Sequence, residues 1–197
     1  WPDPGSPYDG DGSAWTRIKS LRDDYQGVRP YLDVAHYVDF MLMFMFGNSE
    51  DEYRCVGPTA PGSGFKFFLN DADGFTRDTG NRTSMGQPGR QNGDGPGGIF
   101  GMLLAEGHPD YRTLLADRVH KHFFNDGVFC VNPDSPAWDP DHPEDNRAAA
   151  QYMKRIEQID KIIVLESARW GDYHLDPPGT RDDWLDELDG MLTEYFP

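Results

Sequence analysis

The stretch FKFFLNDADGF (65–75) ends in two carboxylates one residue apart, Asp71 and Asp73, with Gly74 directly after them. Such an ending supports two chemistries. Carboxylates at a strand end can hold a divalent cation against phosphate, because hard cations take oxygen ligands and strand ends fix those ligands better than free loops do. Asp71 and Asp73 both reach one ion if Ala72 lies in a turn, and Asn70 offers a further oxygen. The other reading is a plain hairpin turn at Asp73-Gly74, a strong turn dipeptide. The pattern alone leaves both open.

Upstream, NSEDEYR (48–54) presents Asn48, Glu50, Asp51 and Glu52 in a row. One of these acids could serve as a general base toward an attacking hydroxyl; an exposed acidic loop has the same composition. Downstream, Arg77, Arg82 and Arg90 could meet phosphate or an acidic substrate, or be solvated. NPDSPAWDPDHPEDN (132–146) is rich enough in acids for a structural Ca²⁺ site, yet lacks EF-hand spacing with its glycine at the sixth position. His120 and His122 are two apart on an expected helix, so they face different sides and make a poor metal pair.

These residues need elements to position them. Residues 1–12 are turn formers and read as an arm, followed by a helix from Ser13, its cap, to about Tyr25. YLDVAHYVDFMLMFMFG (31–47) predicts the central buried helix, with Pro30 suited to its first turn and Gly47 to its C-terminal cap. Its methionines read as core filler. Residues 48–64 read as a polar loop, 65–70 as a short strand and 74–98 as a long loop of the kind that is functional or mobile.

Helices are expected at 99–106 and 109–125, the second burying Tyr111, Leu114, Leu115, Val119, His122 and Phe123. After a loop at 126–146, a helix over 147–170 should pack through Tyr152, Ile156, Ile159, Ile163 and Leu165 or Glu166. A last helix over 181–195 has Thr180 and Asp183 at capping-box spacing. Trp170 and Trp184 read as packing anchors. The expected fold is mainly α with a small β element (α+β).

The chain's 197 residues suffice for a sizeable core, and 37% hydrophobic content is that of a globular protein. A net charge of −16 repels nucleic-acid phosphates and anionic membranes, so neither is an expected partner. The longest apolar run, FMLMFMF (40–46), is seven residues, far short of a span, so no direct membrane insertion is expected. Cys55 and Cys130 are too few for a disulfide framework; one bridge and two free thiols are both open. The chain begins Trp-Pro with no initiator Met, and we read it as a fragment of a longer protein.

The order of buried helix, acidic loop, short strand, Asp-x-Asp-Gly and long loop is also the order of a protein-kinase C-terminal lobe. More specifically, YVDFMLMFMFGNSEDEY, FKFFLNDADGF, LLADRVHKHFFNDG, ESARWGDY and TRDDWLDELDGMLTEYFP resemble the CotH kinase family, atypical protein kinases like spore coat protein H. The resemblance covers roughly residues 31–197, with 1–30 as an N-terminal arm and short helix, and corresponds to the family's C-terminal half.

It implies ATP- and metal-dependent phosphoryl transfer to protein Ser or Thr, with Mg²⁺ or Mn²⁺. Asp71 and Asp73 match the metal motif, Asn48 matches the Asn before the catalytic acid, and that acid falls at Glu50 or Asp51. The chain departs from the family in three places. Asn70 replaces a Trp, EYRCVGPT lacks the His-Asn pair that follows the catalytic acid, and residues 1–30 hold no Gly-rich loop with a strand Lys. The alternative is therefore a non-catalytic surface or matrix module that keeps the fold and binds Ca²⁺.

Overall fold

The computed structural model describes residues 12–47, 53–57, 62, 64–69, 95–174 and 176–197, without the side chains of 53 and 171–174. The described residues form a mainly helical fold with one small antiparallel sheet. The chain divides into two compact units, residues 1–119 and 120–197.

In the first unit the initial helix is shorter than its periodicity suggests. α1 spans Ser13–Ser20, a turn follows, and α2 takes Tyr25–Val28. Ser13 is not the cap: Gly12 stands at that position and makes no side-chain cap bond, whereas Asp24 caps α2 by accepting from the Gly27 N–H at 2.9 Å. Ile18 and Val28 are fully buried, and Trp15 stacks on Phe65 at 5.9 Å.

The central helix α3 (Val34–Phe46) starts later than Pro30 would place it, because Asp33 caps it by accepting from the His36 N–H at 3.1 Å. Gly47 is its C-terminal cap, as expected, and donates to the Met43 carbonyl. Tyr37, Val38, Met41 and Phe44 have almost no exposed surface, which makes α3 the core helix of this unit.

Residues 48–64 are not all loop. β1 (Tyr53–Val56) lies within them and pairs antiparallel with β2 (Lys66–Leu69). YRCV is too short and too mixed to show as a strand alone; its partner defines it. Phe67 of β2 meets Tyr37 at 5.3 Å and Phe40 at 5.6 Å, seating the sheet on α3.

α4 (Pro96–Glu106) starts three residues before Ile99, with Pro96 at its first turn. The Tyr37 hydroxyl donates to the Pro96 carbonyl at 2.5 Å and ties α4 to α3. Gly107 ends α4 in the left-handed conformation, φ 73°. α5 (Pro109–Phe123) has the expected face: Tyr111 is buried, and Leu114, Leu115, Val119, His122 and Phe123 are half-buried. Arg118 of α5 forms a two-pronged pair with the Asp39 carboxylate of α3.

The second unit is organised by one buried polar side chain. Asn146 is fully buried and donates through Nδ2 to the carbonyls of Pro136 at 2.7 Å and Phe196 at 3.1 Å. Its Oδ1 accepts from the Ala149 N–H at 3.0 Å, which caps α6 (Arg147–His174). One Asn thus ties the 126–146 loop and the C-terminus to the start of α6.

α7 (Arg181–Gly190) carries the expected capping box between Thr180 and Asp183 and continues through Tyr195 as a π-helical turn. The packed face expected for α6 holds only in part. Ile156 is buried and Tyr152 meets Phe196 at 5.1 Å, but Ile159 is 41% exposed and Leu165 70%. Trp170 is 45% exposed, so it is not a core anchor. Helical periodicity names an apolar face; it does not guarantee a surface to cover it.

Candidate functional site

In sequence, the segments of the expected site adjoin the Tyr53–Leu69 end of the β1–β2 hairpin, and described residues brace the strand pair through its middle and at its opposite, Val56–Lys66, end. Along β1 the register pairs Tyr53 with Leu69, Arg54 with Phe68, Cys55 with Phe67 and Val56 with Lys66. On its other edge the chain at 65 bridges Leu32 in parallel. There the Phe65 N–H donates to the Tyr31 carbonyl at 2.6 Å, and the Asp33 N–H donates to the Phe65 carbonyl at 3.1 Å. Below, Phe67 is clamped in the aromatic cluster on α3.

Two glycines make this close fit feasible. A Cβ on Gly57 would sit 2.7 Å from the Phe65 Cα, and one on Gly64, at φ +62°, would sit 2.9 Å from the Asp33 Cβ. Lys66 adds a contact to the Asp33 carboxylate at 3.6 Å.

The Gly57, Gly64 and Asp33 contacts lie at the Val56–Lys66 end; the sequence-derived site adjoins the other end in sequence, and its own residues lie outside those described. Asn48, Glu50, Asp51 and Glu52 fall between Gly47 and Tyr53; Asn70, Asp71 and Asp73 follow Leu69; Arg77, Arg82 and Arg90 come later. Tyr53 and Leu69 are directly paired. The last described residue before the Asp-x-Asp therefore faces the first described residue after the acidic loop.

Among the described residues, no three His, Cys, Asp or Glu side chains are grouped to hold a metal ion. The acids of the 126–146 loop are engaged locally: Asp145 accepts from Asn132 Nδ2 at 2.8 Å, and Asp139 accepts from the Asp141 N–H at 2.9 Å. His120 stacks on Phe124 at 5.7 Å and lies 3.3 Å from Asn125 Nδ2.

Two further groups lie beside the hairpin, His36, which no sequence signal marks, and Cys55, which the sequence left open between a bridge and a free thiol. His36 lies edge-on to Phe68 at 5.5 Å, and its Nδ1 is buried without a hydrogen-bond partner. A lone His on an apolar helix carries no spacing signal that would single it out. Cys55, in β1, is a free thiol whose pKa burial pushes up to about 11, with Arg54 pulling weakly the other way. A thiol so disfavoured as thiolate is a poor nucleophile and reads as packing. Cys130 is also free.

The class that the fold defines is a mainly helical protein with a two-stranded antiparallel hairpin seated on a buried helix. Comparison with known proteins adds no family: no family model, no curated protein and no solved structure matches the chain.

Proposed function

We propose that the chain is a CotH-like kinase-family module, with a divalent-metal site for phosphoryl transfer at the Tyr53–Leu69 end of the hairpin. The observation that carries this reading is the hairpin register. Tyr53, the residue after the acidic loop, pairs with Leu69, two residues before Asp71, so both segments attach in sequence to the same end of the strand pair. Phosphoryl transfer requires that convergence: carboxylates for the metal ion and a second acid for the attacking hydroxyl.

In this reading Asp71 and Asp73 hold Mg²⁺ or Mn²⁺ with Asn70, and Glu50 or Asp51 is the base. Asn48, just before the acid, helps bind the ATP, and Arg77 and Arg82 meet phosphate or substrate. The acceptor is a Ser or Thr hydroxyl on a protein, at an exported or cell-surface location.

Calorimetric titration with Mn²⁺ and Mg²⁺, on this chain and on Asp71→Ala, tests the site. Saturable binding abolished by the substitution is expected, as is ATP turnover that depends on Asp71. Binding and turnover indifferent to Asp71→Ala would overturn the assignment.

One observation favours a second reading, the non-catalytic surface module. Tyr53, Arg54, Cys55 and Val56 stand where the family's His-Asn pair is expected, and all four are committed to strand pairing. A site short of that metal-binding Asn loses charge neutralisation where phosphoryl transfer needs it. Metal binding without ATP turnover would select this reading.

A further inference from the structure

Gly107 and His108 alone join α4 to α5, and His108 caps the second helix. Pro109 opens α5 and has no N–H, so the first backbone donor of the helix is the Asp110 N–H. It donates to His108 Nδ1 at 3.2 Å. The His108 carbonyl accepts from the Arg112 N–H at 3.1 Å and closes the first turn. A helix cap ordinarily accepts through the oxygen of a hydroxyl, carboxylate or amide. Here the acceptor is an imidazole nitrogen, which a proton can take away.

The same ring contacts α2. It lies 4.7 Å from the Tyr25 ring, and the Gln26 side-chain amide is 3.0 Å from Nε2. A neutral imidazole has one acceptor nitrogen and one donor. The Asp110 N–H takes the acceptor, because a backbone hydrogen cannot turn away. The ring proton then sits on Nε2. The Gln26 amide, whose two ends interchange by a half-turn, presents its oxygen there.

Charged and titratable groups surround this ring on all three elements. α2 brings the Tyr25 phenol and Asp24, whose carboxylate accepts from the Gly27 N–H. α4 brings Glu106, whose carboxylate accepts from the Tyr25 N–H at 2.9 Å. α5 brings Asp110 and Arg112, the latter lying against Gly107. The carboxylates attract a protonated ring; Arg112 and the positive end of α5 repel it. Whatever their balance, a doubly protonated ring has no acceptor, and its Nδ1–H meets the Asp110 N–H donor to donor.

We propose that His108 is a proton-operated latch at the α4–α5 corner: neutral, it caps α5; protonated, it releases the Asp110 N–H and loosens the first turn. Histidine is the side chain that ordinarily changes charge between about pH 5 and 8. The release is selective. Nε2–H is a donor in both forms, so the Gln26 contact survives. Arg118, about two turns further along, keeps α5 tied to Asp39 of α3. Tyr111, fully buried and next to Asp110, is the core side chain that the loosened turn carries.

Backbone NMR of the full chain between about pH 5 and 8 tests the latch on wild type, His108→Asn and His108→Ala. Asn caps a helix without titrating in this range, and Ala does not cap. In the wild type the Asp110 amide proton should shift together with the His108 ring. Protection of Asp110 and Arg112 from exchange, corrected for the intrinsic effect of pH, should fall about threefold or more as the ring protonates. His108→Asn should keep that protection at both ends of the range, and His108→Ala should lack it at both. An equal pH response in His108→Asn would trace the change to the surrounding carboxylates and overturn the proposal. Wild-type protection that is indifferent to the protonation of the ring would overturn it as well.

Discussion

Asn146 concentrates more of the second unit's order than any other described side chain. It satisfies two carbonyls and one amide at 2.7, 3.1 and 3.0 Å with no exposure to solvent. Asn146→Ala strands all three, and an unpaired buried polar group costs roughly 1–3 kcal/mol. We expect this substitution to destabilise the chain by about 3 kcal/mol, measured by urea denaturation.

At Cys55 the raised pKa of about 11 makes a kinetic prediction. In a Cys130→Ser background, alkylation at pH 8 should run about a hundredfold slower than in the denatured chain, since only the thiolate reacts. Equal rates in the two states would contradict the burial that raises the pKa. Asp39 and Arg118 are about a quarter exposed, 31% and 21%, so their paired hydrogen bonds are only partly screened. A double-mutant cycle to Ala should give a coupling of about 1 kcal/mol.

At the scale of elements, the hairpin depends on the absence of a side chain. Gly57→Ala would force a Cβ to within 2.7 Å of the Phe65 backbone, which is clamped by its bonds to Tyr31 and Asp33 and cannot yield cheaply. A loss of about 1–3 kcal/mol is expected, together with faster amide exchange across β1 and β2. If exchange quickens elsewhere and not in the hairpin, the bracing described for the strand pair is wrong.

The elements also show where sequence reading works. The face of α5 and the capping box of α7 are set by local spacing, and both appear as expected. β1 is different: four residues of mixed character become a strand only because Lys66–Leu69 lies alongside. α3 starts later than Pro30 suggests for a related reason: Pro30 is a general signal, whereas the Asp33 cap is a specific bond.

For the whole molecule, titration of the buried groups sets an alkaline limit. Burial raises Cys55 to about 11 from 9.0 and lifts Tyr37 and Tyr111 above 10.0. Each neutral form is favoured in the fold, so this stability is fully present below the unfolded pKa and is lost as pH rises through the folded one. The melting temperature should fall steadily above about pH 9. Tyr37→Phe removes one titrating group and should soften that fall, at the cost of the hydrogen bond to Pro96. No helix among the described residues is long and apolar enough to cross a membrane, as the seven-residue limit on apolar runs implied.

The sequence by itself determined the mainly helical class, the central helix and the aromatic strand. These follow from periodicity, capping and residue type, which act over a few neighbouring positions. Tertiary structure alone decided that Tyr53 meets Leu69, that Asn146 reaches Phe196 and that Leu165 stays in solvent. Each of those depends on residues distant in the chain arriving, or failing to arrive, at the same place, and local spacing carries no record of that.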